Sequence, residues 1–147
     1  APGLRLLGLG PKLFPCNGLL QLKKLLDIHA FWAADRSVRQ LRQLLANSTV
    51  VISLWREKRI VGFGRATSDG LFRAVLWDIV VADDQQRLGL GSQVVDALLS
   101  APAMKNVEKI YLMTTNSTEF YLQLGFDRAT SQSLLVINGE TQPAQNN

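Results

Sequence analysis

Apolar residues recur at helical spacing early in the chain and at strand spacing in its middle. Leu22, Leu25, Leu26 and His29 fall at i, i+3, i+4 and i+7, which predicts an amphipathic helix over residues 18–34 with His29 on its apolar stripe. A histidine so placed is read as packed and hydrogen-bonded rather than as a ligand or a base. Ser37 followed by Gln40 forms a capping box, in which each side chain meets the other residue's free backbone N–H. Leu41, Leu44 and Leu45 are then the inward face of a second helix, which ends at Asn47. From Thr49 the period changes. Residues 49–55 and 60–67 are β-branched and apolar runs separated by Glu57, Lys58 and Arg59, the pattern of an antiparallel hairpin. Ser68-Asp69-Gly70 is a second turn, and residues 71–81 read as a long strand.

A third helix is expected near residues 91–99 with Val94, Val95, Leu98 and Leu99 inward, and Pro102 blocks its continuation. Residues 109–114 form a short strand and 117–124 a short helix, with Ser117 as N-cap, Glu119 in the first turn and Gly125 at the left-handed C-terminal position. Residues 133–137 supply a final strand, and the polar, proline-containing stretch 139–147 reads as a flexible tail. This order of elements predicts a mixed α/β fold, taken as one domain over residues 1–138. With 147 residues, 47% hydrophobic and 19% charged, the chain can bury one core, which excludes wholesale disorder and fibrous folds. No stretch reaches the length of a membrane span, so no membrane partner is expected.

The net charge of +4 conceals a dipolar chain, because residues 1–65 carry 11 Lys or Arg against 3 acids and residues 66–147 carry 5 against 9. A basic half raises nucleic acid as a partner, but Arg36, Arg39 and Arg42 recur opposite an apolar stripe, as on an ordinary solvated helix face, so none is expected. The single cysteine, Cys16, forms no internal disulfide, and with one histidine there is no Cys/His cluster for a metal. No secretory signal is read at the start, so a reducing compartment, the cytoplasm or a plastid stroma, is expected.

Between the long strand and the third helix lies Gln86-Arg87-Leu88-Gly89-Leu90-Gly91-Ser92. Glycines at such a junction let the backbone approach a ligand, and the free N–H groups of the helix's first turn suit a pyrophosphate; a plain glycine turn capping a helix reads the same way. A Walker loop is excluded because Gly91 is followed by Ser92-Gln93, and a dinucleotide fingerprint lacks its third glycine. Gln86-x-x-Gly89-x-Gly91 after an apolar strand, followed by Phe120-Tyr121-x-x-x-Gly125-Phe126, resembles the GNAT superfamily of acetyl-CoA-dependent N-acetyltransferases, over residues 18–137. Residues 63–70 and Trp77-Asp78-Ile79-Val80-Val81 further resemble its cyanobacterial and plastid branch, whose plant relatives acetylate arylalkylamines and protein lysines.

The resemblance implies a mixed, mostly antiparallel central sheet flanked by helices. It implies that the backbone of Ile79, Val80 and Val81 pairs with the pantetheine arm of acetyl-CoA, and that the amides of Arg87, Leu88, Gly89, Leu90, Gly91 and Ser92 wrap its pyrophosphate. Gln86 stands where the family often has an arginine, and Tyr121 matches its general acid. The asparagine often found seven residues before that tyrosine is Thr114 here, with Asn116 nearby as the candidate cofactor contact.

Chemistry supports the tyrosine separately. Attack of an amine on a thioester must expel a thiolate, and a phenol of pKa about 10 stays protonated at neutral pH and can share its proton with a thiolate of pKa about 8.5. Asp78 is the candidate base, since aspartate is depleted in strands and alternation puts it on the face of Leu76 and Val80; a carboxylate that orients a neighbouring backbone turn reads the same way. The expected activity is acetyl transfer from acetyl-CoA to a primary amine, an arylalkylamine of the serotonin or tryptamine type or a protein lysine, by direct attack in a ternary complex. The chain would act as a monomer or homodimer. The alternative is a CoA-binding sensor or scaffold without efficient catalysis, against which Tyr121 argues.

Overall fold

Strands built from the apolar runs order themselves as β1-β2-β3-β4-β5 in one sheet. The computed structural model describes residues 4–7 and 18–139, and the chain divides into two compact units, one ending at Met113 and the other beginning at Thr114. In the first unit β1 (Leu4–Leu7), β2 (Val50–Arg56), β3 (Arg59–Ser68) and β4 (Arg73–Val81) pair antiparallel in succession. β5 (Lys109–Leu112) joins β4 in parallel. This is the mixed, mostly antiparallel sheet that the resemblance implies. β1 was not expected from the sequence, because four apolar and basic residues without alternation carry no strand signal of their own.

α1 (Gly18–His29) and α2 (Val38–Ala46) cover one face of the sheet. Their Leu22, Leu25, Leu26, Leu41 and Leu45 are buried with Val51, Trp55, Phe63 and Val80. α1 stops at His29 rather than running to residue 34: Ala30 leaves helical geometry at φ −131° and a 3₁₀ turn, Phe31–Ala33, follows. The capping box at the start of α2 is present, with Gln40 N–H donating to Ser37 Oγ at 3.0 Å and Ser37 N–H to Gln40 Oε1 at 2.9 Å. The box also shows that Arg36 precedes the helix instead of belonging to its solvated face. α3 (Leu90–Ser100) covers the other face, where its Val94 and Leu98 lie over Gly62 and Gly64. With helices on both sides, β2 is buried from Val50 to Trp55, which is why its sequence is a continuous run rather than an alternation.

Alternation also fails in β4, for a different reason. Phe63 pairs with Val80 and Arg65 with Trp77, so Asp78 and Ile79 together oppose Gly64 in a β-bulge, with Asp78 in the left-handed region at φ 55°. The extra residue turns Asp78 onto the face of Trp77 and Val80, towards α1 and α2, while Leu76 and Ile79 face α3. The expectation that Leu76 shares the face of Asp78 is corrected accordingly.

The second unit contains α4 (Thr118–Gln123). Ser117 occupies the N-cap position without capping; its hydroxyl donates to Asn116 Oδ1 at 3.4 Å. The C-terminal end is a Schellman motif: Gly125 N–H donates to Leu122 O and Phe126 N–H to Tyr121 O, both at 3.1 Å, with Gly125 at φ 102°. Residues 133–137 are not the strand expected. Leu134 to Ile137 are exposed and have no ladder partner among the described residues, and an apolar run without a neighbouring strand has nowhere to place its backbone hydrogen bonds. The expected tail, apart from Gly139, and Cys16 lie outside the described residues. No described helix is long and apolar enough to cross a membrane.

The contact between α3 and the sheet depends on Gly64. A Cβ there would stand 2.7 Å from Val94 Cγ1 and 3.0 Å from Leu98 Cδ1, whereas one at Gly62 would meet its nearest atom, Leu54 Cβ, at 3.2 Å. Gly64→Ala should therefore lower stability by about 1–3 kcal/mol in urea denaturation, and Gly62→Ala by less. Equal midpoints for Gly64→Ala and the parent would remove this close approach as a constraint.

Candidate active site

The β4–β5 ladder begins at Arg73 with Lys109 and stops at Leu76 with Leu112. Beyond it, residues 77–81 keep β3 on one side and have no strand on the other among the described residues. Such an edge offers backbone N–H and C=O groups to any extended amide chain laid along it. Ile79, Val80 and Val81 lie on that edge, although the Val81 carbonyl already accepts one bond from Gln86 Nε2 at 2.8 Å. The side chain of Gln86 thus folds the following loop back onto the strand.

That loop passes through a 3₁₀ turn, Asp83–Gln85, and the exposed residues Arg87 at φ 65° and Leu88 to Gly89 at φ 76°. Gly89 is the N-cap of α3 and supplies no side-chain cap. Gln93 N–H makes an intrahelical bond to Gly89 O at 3.2 Å, so the preceding first-turn amides of Leu90, Gly91 and Ser92 have no intrahelical acceptor. Those amides and the positive end of the helix dipole suit an anion. An open strand edge that leads within ten residues into an amide-rich helix start fits a molecule with an extended amide arm and a phosphate group.

Asp78 is buried, with its carboxylate fully engaged. Oδ1 accepts from Trp32 Nε1 at 3.1 Å, and Oδ2 accepts from Arg36 Nη1 at 3.0 Å and from Arg65 Nε at 2.8 Å. Burial pushes its pKa up, but the charges and hydrogen bonds of Arg36 and Arg65 outweigh that and hold the carboxyl below its usual range. A carboxylate so held is a poor proton acceptor. In this structure the Asp78 carboxylate ties the bulge of β4 to the connection between α1 and α2 and to Arg65 of β3. Arg65 also lies over the Trp77 ring, 5.8 Å from its centroid, and Trp77 Nε1 donates to Thr67 Oγ1 at 2.8 Å. Trp32, Arg36 and Arg65 were missed from sequence, where only the position of Arg36 outside the capping box could have signalled a different role.

Tyr121 and Asn116 belong to the second unit, and Asp78, Ile79 to Val81 and Gln86 to Ser92 to the first. Tyr121 is the third residue from the end of α4, and the Schellman turn brings Phe126 against it, with ring centroids 5.9 Å apart; Phe120 lies 5.0 Å away on the other contact. The spacing Tyr-x-x-x-Gly-Phe is thus the geometry of this helix end. Burial raises the phenol to about 12, so it remains a proton donor throughout the neutral range. Asn116 is exposed, and Thr114 Oγ1 accepts from Ser117 N–H at 3.1 Å.

A family model described as the acetyltransferase (GNAT) family matches residues 20–126. The chain is 36% identical over 113 residues to an N-acetyltransferase named ycf52 from Pyropia yezoensis, covering 74% of this chain and 64% of that protein. It is 39% identical over 99 residues to serotonin N-acetyltransferase 2, chloroplastic, of Oryza sativa subsp. japonica, covering 62% and 48% respectively. It is 33% identical over 104 residues to histone acetyltransferase TAP1 of Glycine max, covering 63% and 45%. The chain spans less than two thirds of the length of these curated relatives. Among solved structures, the GNAT family protein SP0256 from Streptococcus pneumoniae TIGR4 superposes with a TM-score of 0.74 at 21% identity, over 93% of this chain and 99% of that one, a likeness of fold.

The Asp78 cluster should contribute measurably to stability. Asp78→Asn leaves two guanidiniums facing each other over a neutral amide, and breaking a buried pair in this way costs about 3–5 kcal/mol. Because the folded pKa lies below the unfolded value of about 3.9, the carboxylate's contribution is present above that pH and is lost as pH falls through the folded pKa. Urea midpoints at pH 7, 5 and 3 should therefore fall more steeply in the parent than in Asp78→Asn. Parallel pH profiles would show that Asp78 is not held ionised by these partners.

Proposed function

Because the chain belongs to the acetyltransferase (GNAT) family, we propose that it transfers the acetyl group of acetyl-CoA to a primary amine by direct attack in a ternary complex. The observation that carries this reading is the edge of β4, which has no strand partner among the described residues beyond Leu76, running into a first turn of α3 with no side-chain cap. Ile79 to Val81 would hold the pantetheine amides, and the amides from Arg87 to Ser92 the pyrophosphate. When bound, acetyl-CoA supplies the thioester. Gln86 fixes the loop to the strand, and Asp78 holds Trp32 and Arg36 beside the bulge. Tyr121 keeps its proton at neutral pH and would deliver it to the departing thiolate. With Asp78 committed to its guanidiniums, the amine loses its proton to water.

The names of the rice and soybean relatives support an arylalkylamine or a protein lysine as acceptor. Of the two we favour the arylalkylamine. Phe31 and Trp32 stack edge to face with centroids 5.2 Å apart, Phe31 is exposed, and Trp32 is bonded to Asp78 where the open edge begins, an aromatic lining suited to an aromatic amine. The chloroplastic relatives support a plastid stroma, or the cytoplasm of a cyanobacterium, as the compartment.

Acetyl-CoA consumption should be seen with tryptamine and, more weakly, with lysine peptides; no turnover with any amine in a panel that includes polyamines and aminoglycosides would overturn the reading. Tyr121→Phe removes one hydroxyl and keeps the ring, so turnover should fall by about 10²–10⁴ while CoA binding by calorimetry stays at the parental level. Parental turnover in that variant would reduce Tyr121 to a packed aromatic.

A further inference from the structure

The 3₁₀ turn Asp83–Gln85, which feeds the amide-rich loop, is tied to the rest of the first unit at each of its residues. Asp83 N–H donates to Nδ1 of His29 at the end of α1, at 3.3 Å. Asp84 receives both terminal nitrogens of Arg59 at 2.7 and 2.6 Å. Gln85 Oε1 accepts from Arg56 Nε at 2.9 Å. Arg56 and Arg59 are the register pair that closes the β2–β3 hairpin, so two of the three ties come from one tight turn.

The outermost of these ties, Arg59 to Asp84, has little to do with holding the fold together. Arg59 and Asp84 are both about half exposed, and exposed ion pairs contribute little to folding stability. What a bidentate guanidinium–carboxylate pair does provide is orientation. The loop needs it: residues 86–89 are exposed, two of them are left-handed, and Gln86 to Val81 is the side-chain bond that fastens them directly. The register of the loop against β4 is therefore shared between that bond and the ties at residues 83–85.

We propose that Arg59, assisted by Arg56 and His29, is a positioning residue for the donor-binding loop, setting the affinity for acetyl-CoA from the far side of the turn without touching the molecule. The inference rests on the reading that the loop takes the pyrophosphate of acetyl-CoA. Misplacing the loop amides weakens binding of the donor but leaves the reacting groups as they were once the donor is bound, so the effect belongs in KM and not in kcat.

The test compares the parent, Arg59→Gln, Arg59→Lys, Arg59→Asp and the swap Arg59→Asp with Asp84→Arg, using CoA in calorimetry and acetyl-CoA with the best amine in kinetics. Arg59→Gln should raise both the Kd for CoA and the KM for acetyl-CoA by about 5–20-fold, with kcat within about twofold and the thermal midpoint close to that of the parent. Arg59→Lys, a single-point donor, should recover part of the loss, and the swap should restore more affinity than Arg59→Asp alone. Parental CoA affinity in Arg59→Gln, a loss of kcat equal to the rise in KM, or a swap no better than Arg59→Asp would each overturn the proposal. A parent that binds no CoA would instead overturn the reading of the loop itself.

Discussion

An ionised carboxylate on the inner face of a sheet has to be answered by charge from the elements around it, and at Asp78 that requirement draws three parts of the chain to one point. Arg65 comes from β3, Arg36 and Trp32 from the connection between α1 and α2. The carboxylate reaches them because the bulge turns it to their face of the sheet, and the bulge begins two residues beyond the last β4–β5 pair, Leu76 with Leu112. A bulge increases local twist, so the same irregularity that places Asp78 also accompanies the parting of β4 from β5. Gly64 opposite it admits α3, whose first turn has backbone amides without intrahelical acceptors.

The two sequence motifs turn out to be two helix ends. Gly89 is the left-handed N-cap of α3 and leaves backbone donors open for a ligand; Gly125 is the left-handed residue after α4 and closes carbonyl acceptors internally. One glycine exposes a helix terminus and the other seals one. In the second case the seal also seats Phe126 against Tyr121, so that the ring bearing the hydroxyl is fixed by the residue that ends the helix.

Local signals were legible wherever local physics decides the outcome. The Ser37–Gln40 box, the hairpin around Glu57 and Lys58, the turn at Gly70 and the left-handed Gly125 are all present as read from the sequence, because each depends on residues within a few positions of one another. His29, expected to be packed and bonded, is so, and accepts the Asp83 N–H. What sequence could not supply is what depends on pairing across the fold. β1 exists because β2 offers an edge, residues 133–137 fail as a strand because nothing described offers one, and the bulge at Asp78 is visible only in the register with β3. The partners of Asp78 were hidden for the same reason, since they lie 13 to 46 residues away.

The charge asymmetry along the chain acquires a meaning in the order of synthesis. Arg36, Arg56, Arg59 and Arg65 all precede residue 66, while the groups that receive them, Asp78, Asp84 and Gln85, all follow it. A nascent chain that has completed α1, α2 and the β2–β3 hairpin lacks these acceptors, and Arg36 and Arg65 meet the carboxylate they share only once β4 has been made. The last strand of the antiparallel array therefore carries the counterion for charges contributed by elements made before it.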